Sequence, residues 1–139
     1  MASEYQKHER LIALLEIGGA LAIIGYWIGW FLDVLKSLES DDPGYDSYID
    51  HESSFPLPDA WIVLLLLISA YGILRNEAFG RPTAIAAGGA LVFLGLIDFA
   101  FASQQNIYAK NPLEIVINIA CVTGGLFLIA WFGFISTRE

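Results

Sequence analysis

The chain has 139 residues, 56% of them hydrophobic and 16% charged, and its seven Lys and Arg against fifteen Asp and Glu give a formal net charge of −8. A soluble domain carries about 25% charged residues, so this composition excludes a soluble globular enzyme, a disordered tail and a disulfide scaffold. The acidic balance also excludes nucleic acid as a partner, since that needs a basic footprint, and leaves an integral membrane protein whose first partner is the lipid bilayer.

A spanning helix needs roughly 20 mostly apolar residues. Spans are expected at 11–35, 59–75, 82–103 and 112–135, giving an all-α, four-helix transmembrane bundle in one domain over 1–139, with an acidic outer loop at 36–58. The first span is not expected to be a signal peptide. Its apolar run is too long, and its flank mixes Lys7 and Arg10 with Glu4 and Glu9. Within it Gly18, Ala22, Gly25 and Gly29 follow i, i+4, i+7, i+11 and line one face, and Asp33 extends that stripe by four more residues. Small residues let helix backbones approach closely where lipid removes the hydrophobic drive. The stripe is therefore expected to pack on another helix, in the bundle or across an oligomer interface. Glu16 lies on a different face, with Ala20, Ile23 and Trp27, and is expected to pair with Arg75, Arg81 or Arg138.

The outer loop holds six acids (Glu39, Asp41, Asp42, Asp46, Asp50 and Glu52) against Lys36, with a turn at Asp42-Pro43-Gly44. Asp46, Asp50, His51 and Glu52 are metal-ligand types, but their spacing matches neither an EF-hand nor HExxH, and a solvated charge run is the reading adopted. Asp59 is expected to cap the second span. Pro82 opens the third and Asn111-Pro112 the fourth.

In the third span Gly88, Gly95 and Ala102 form another small-residue stripe, and GGALVFLG (88–95) repeats GGALAIIG (18–25) at an offset of 70 residues. The offset suggests two parallel copies of a helical hairpin. Asp98 sits on the small-residue side of this span. On the fourth, Glu114 and Asn118 are one turn apart, and Cys121 and Gly125 continue their face.

Basic residues resist translocation. Lys7, Arg10, Arg75, Arg81 and Arg138 fall on one side and Lys36 and Lys110 on the other, so both termini are expected in the cytoplasm of a plasma-membrane protein. Trp27, Trp30, Trp61 and Tyr108 then form an outer aromatic belt. Ionisable residues inside a bilayer are costly and point to function. Asp98, Glu114 and Asn118 are therefore read as an outward-facing pocket with Asp33 and Asp59 at its mouth, suited to a cation or a proton.

Most catalytic schemes are missing. One cysteine allows no disulfide relay, and His8 and His51 lie outside the spans; no Walker, dinucleotide or Ser-His-Asp arrangement is visible. The expected function is binding of a cation or small ligand by a carrier, channel subunit or accessory subunit. No cofactor is expected beyond a bound cation, whose identity as a metal is open, and a thin bundle of this kind is expected to form a homo-oligomer or join a larger membrane complex. The alternatives are a structural or regulatory partner subunit and, third, a lipid-modifying enzyme.

Overall fold

The computed structural model describes residues 4–136, so Arg138 lies outside the described residues. Those residues form helices joined by turns, without a strand: α1 (Glu4–Phe31), α2 (Tyr45–Glu52), α3 (Pro56–Arg75), α4 (Gly80–Gln104), α5 (Ile107–Lys110) and α6 (Leu113–Ala130), which runs on into a π-helical turn at Trp131–Ile135. Four helices are long and apolar enough to cross a membrane: Glu4–Phe31, α3 together with the short α2 before it (Tyr45–Arg75), Gly80–Gln104 and Leu113–Ile135. Their outward residues, among them Leu14, Leu21, Ile28, Phe93, Val116 and Phe134, are exposed apolar side chains, as lipid contact requires.

The first span differs from its expected bounds. Its helix begins at Glu4 and stops at Phe31, short of residue 35, because the chain closes a Schellman turn. Val34 N–H donates to Gly29 O (2.9 Å) and Asp33 N–H to Trp30 O (3.1 Å), with Asp33 left-handed at φ 60°. Asp and Asn are among the residues that tolerate this conformation without being glycine. Asn76 ends α3 by the same pattern, with Glu77 N–H on Gly72 O at 2.8 Å. The second span also starts early. Pro56 takes its first position, and Asp59 N–H already donates to Phe55 O (2.9 Å), so Asp59 lies inside the helix and is not its cap.

α1 packs on α3, α3 on α4 and α4 on α6. Ile12, Ala13 and Ala20 meet the cluster formed by Ile62, Leu66, Ala70 and Ile73, which continues through Ala84, Ala87 and Leu94 to Leu128 and Phe132. The α3–α4 turn is tight because Gly72 and Gly80 face each other; a Cβ on Gly72 would lie 2.6 Å from Gly80 Cα. The α4–α6 seam is also close. A Cβ on Gly88 would meet Gly125 O at 2.6 Å, and one on Gly95 would meet Asn118 O at 2.9 Å.

The stripe expected on α1 does not pack within this chain. Gly18 and Gly25 have nothing within 4 Å, Ala22 is exposed, and Gly29 faces Leu35 of its own terminating turn. The face that packs on α3 carries Glu16, Ala20 and Trp27 instead. The repeated motifs of α1 and α4 therefore meet different surroundings.

The two ends of the helices are closed by polar contacts. At one end Gln6 donates to Asn76 Oδ1 (2.8 Å), and Glu9 pairs with Arg81 (2.9 Å) while accepting from Ser136. At the other end Lys110 pairs with Asp42, and Asn111 Nδ2 donates to Ser37 Oγ (3.1 Å).

Candidate functional site

A cavity of about 530 Å³ lies between α1 and α6, floored by α3 and α4 and covered at one end by α2. This is within the roughly 300–1,000 Å³ of small-molecule sites. On α1 it runs from Ile12 to Trp27, about 22 Å of helix axis at 1.5 Å per residue. Its two ends differ. Leu15, Ile23, Leu66, Leu91, Phe127 and Leu128 make one part apolar but for Glu16, whereas Glu52, Asp59, Asp98 and Glu114 bring four carboxylates to the α2 end.

Each of these four carboxylates has a different neighbour. Trp27 Nε1–H donates to Asp59 Oδ2 (2.8 Å) and Tyr26 O–H to Glu52 Oε2 (3.2 Å). Ser37 O–H donates to Glu114. Asp98 Oδ1 lies 3.4 Å from His51 Nε2, and that imidazole is stacked on Phe101 with centroids 3.7 Å apart. Asn118, 2% exposed, gives its amide to Tyr108 O–H at 2.8 Å. No Lys or Arg is among the described residues that line the cavity.

Two oxygens on this wall have no partner. Asp59 is 6% exposed and its Oδ1 is unbonded; Glu16 is 3% exposed and its Oε2 is unbonded. Buried polar atoms are nearly always satisfied, so each such exception calls for an explanation.

Among the residues expected at the pocket, Asp98, Glu114, Asn118 and Asp59 are brought to one cavity. Asp33 is not. Its helix has ended, its side chain is 74% exposed, and it pairs with Lys36, whose ammonium this bond holds above its ordinary value. Glu16 does not pair with an arginine among the described residues. Ser69 O–H donates to it (2.7 Å), and Arg81 takes Glu9 instead. Ser69→Ala would strip the last bond from that buried carboxylate, at about 1–3 kcal/mol or more for a charged group. Denaturant unfolding in detergent is expected to show that loss. Glu16→Leu combined with Ser69→Ala should recover most of it.

The loop read as solvated supplies the lid. Tyr48, 1% exposed, accepts from Trp30 Nε1 (3.1 Å) and Ser37 N (2.9 Å), packing with Leu38, Ala102 and Ile107 in a cluster of its own. This orientation turns His51 and Glu52 into the cavity and leaves Asp46 and Asp50 exposed. The signal for it lies in the sequence: Tyr45, Tyr48, Ile49 and Glu52 follow i, i+3, i+4, i+7. Among the described residues no group of three or more His, Cys, Asp or Glu side chains is placed to hold a metal ion. The carboxylates are distributed around a wall, with no shared focus.

No protein-family model, curated protein or solved structure matches the chain.

Proposed function

We propose that this chain is a four-span bundle of the plasma membrane, both termini cytoplasmic, that binds a cation or small ligand in the carboxylate-lined cavity under α2. The basic residues Lys7, Arg10, Arg75 and Arg81 at the opposite end support that orientation. The single observation that carries the binding reading is Asp59 Oδ1, a buried and unpartnered carboxylate oxygen on a cavity wall with four further carboxylates and no Lys or Arg among its described residues. Uncompensated negative charge in a low-dielectric site favours a cation or bound protons. Such a protein serves as a carrier, a channel subunit or an accessory subunit of a larger complex.

A second reading is a partner subunit without a ligand, favoured by the open glycine face of α1 at Gly18 and Gly25. Thermal melts of the purified protein across inorganic and small organic cations separate the two. A ligand that binds the folded state raises the midpoint with its concentration over its dissociation constant. A cation-specific rise that Asp98→Asn and Glu114→Gln both lose is the expected result. A flat panel, with the variants melting like the parent, overturns the binding reading in favour of the second.

A further inference from the structure

Among the described residues α1 packs on α3 and α6 on α4, and α1 and α6 make no comparable contact with one another. They approach at their two extremities. Tyr5 and His8 set their rings against Trp131 at one end (centroids 6.4 and 5.9 Å apart), and Ser37, just past α1, bonds Glu114 at the other. Between these closures, Leu15 and Ala22 of α1 and Ala120 and Phe127 of α6 line the cavity and are also exposed on the outside of the molecule. These positions fall in the apolar middle of two spanning helices. The cavity therefore has a side opening at bilayer depth, while α2 covers its carboxylate end.

Resting on the cation-site reading above, we propose that the occupant is an amphiphile with an ammonium head and an apolar tail, taken up sideways from the bilayer through the gap between α1 and α6. The chemistry of the wall is matched part by part. Four carboxylates without a Lys or Arg among the described lining residues favour positive charge at one end, and the orphaned Asp59 oxygen offers an acceptor to an N–H donor there. The remaining wall, with Leu66, Leu91, Leu94 and Leu128, suits a hydrocarbon tail, and the one carboxylate on it, Glu16, is held by Ser69. Because the carboxylates do not converge as a metal site, a larger organic cation that touches several of them in turn fits better than a single ion. A tail leaving toward Ala120 and Phe127 stays in contact with lipid, so the ligand enters without crossing water.

The test uses the full chain in phosphatidylcholine nanodiscs, with thermal midpoints recorded against methylammonium, dodecylammonium, dodecanol and dodecyl sulfate. Dodecylammonium is expected to act at a concentration at least tenfold below methylammonium, and dodecanol and dodecyl sulfate to give no rise. Asp98→Asn should lose the dodecylammonium response. Ala120→Trp, which fills the gap from its lipid-exposed side, should bring that response down to the parent's methylammonium level. If the two amines act at equal concentrations, or if Ala120→Trp keeps the full gain, lateral uptake of an amphiphile is overturned while the cation site stands. If dodecanol matches dodecylammonium, the ammonium head is overturned. If no amine or inorganic cation has any effect, the site itself falls, and this inference with it.

Discussion

Gly88→Leu is expected to leave little folded protein, with a loss at the upper end of the ~1–3 kcal/mol that overpacking costs, or beyond it. The first atom of the new side chain would stand 2.6 Å from Gly125 O and 3.0 Å from Ile129 Cγ1. The nearer atom is backbone, which no rotamer change can move aside. The reciprocal site is equally closed, since a Cβ on Gly125 would run into Gly88 O and would approach Val92 N at 2.9 Å. Helices in lipid gain their association from such close backbone approach, so a leucine here separates α4 from α6 rather than merely crowding them. Size-exclusion profiles and melts in detergent read the outcome. Gly18→Leu and Gly25→Leu are the contrast: with nothing within 4 Å of either position, the fold should change by no more than about 0.5 kcal/mol. A Gly88→Leu protein that melts like the parent would mean that the α4–α6 seam is not packed as described.

Tyr48→Ala is expected to release the lid while the spans stay assembled. Truncating a fully buried aromatic costs about 3–5 kcal/mol, and here the loss also frees Trp30 Nε1 and Ser37 N from their shared acceptor. The damage stays local because Tyr48 packs with Leu38, Ala102 and Ile107, a cluster distinct from the one joining the spans. Hydrogen exchange over 36–55 should quicken roughly a hundredfold or more, at about 1.4 kcal/mol per factor of ten. Amides between Ile62 and Ile73 should keep their protection. Loss of protection in both regions together would show that lid and spans are one cooperative unit. Tyr48→Phe keeps the ring and removes only the oxygen, so it is expected to lie between the parent and the alanine variant.

The apolar runs of α4 and α6 are legible in the sequence because a run of suitable length is itself the membrane signal, and Pro82 and Asn111-Pro112 punctuate it. Asp98, Glu114 and Asn118 are legible for the same reason: polar residues inside such runs are conspicuous. Asp33 is misread because a left-handed Asp ending a helix carries no glycine to announce it, and continuing the helix places the residue on a stripe it never joins. Glu52 and His51 are read as part of a solvated charge run because four acids on the outer face of the loop disguise the inward spacing of Tyr45, Tyr48 and Ile49. Glu16 is given an arginine on charge alone, although the structure bonds it to Ser69, 53 residues away. A helix-by-helix reading carries no information on which face meets which. The sequence shows a glycine stripe on α1 and another on α4, but only the packing tells that the second is buried and the first is open.

The two orphaned oxygens of the cavity also lie at different electrical depths. Trp27, which holds Asp59, and Glu16 are separated by about 16 Å along α1, roughly half of a ~30 Å hydrocarbon core. In the proposed cation site, with the α2 end at one face of the membrane, a monovalent cation reaching Asp59 from that face would traverse little of the transmembrane potential. The same charge moved on to Glu16 crosses about half of it, which is worth on the order of 1 kcal/mol for each 100 mV. On the proposed reading, residence at the first carboxylate would be nearly indifferent to voltage, whereas passage to the second would be favoured or opposed by the polarity of the membrane potential.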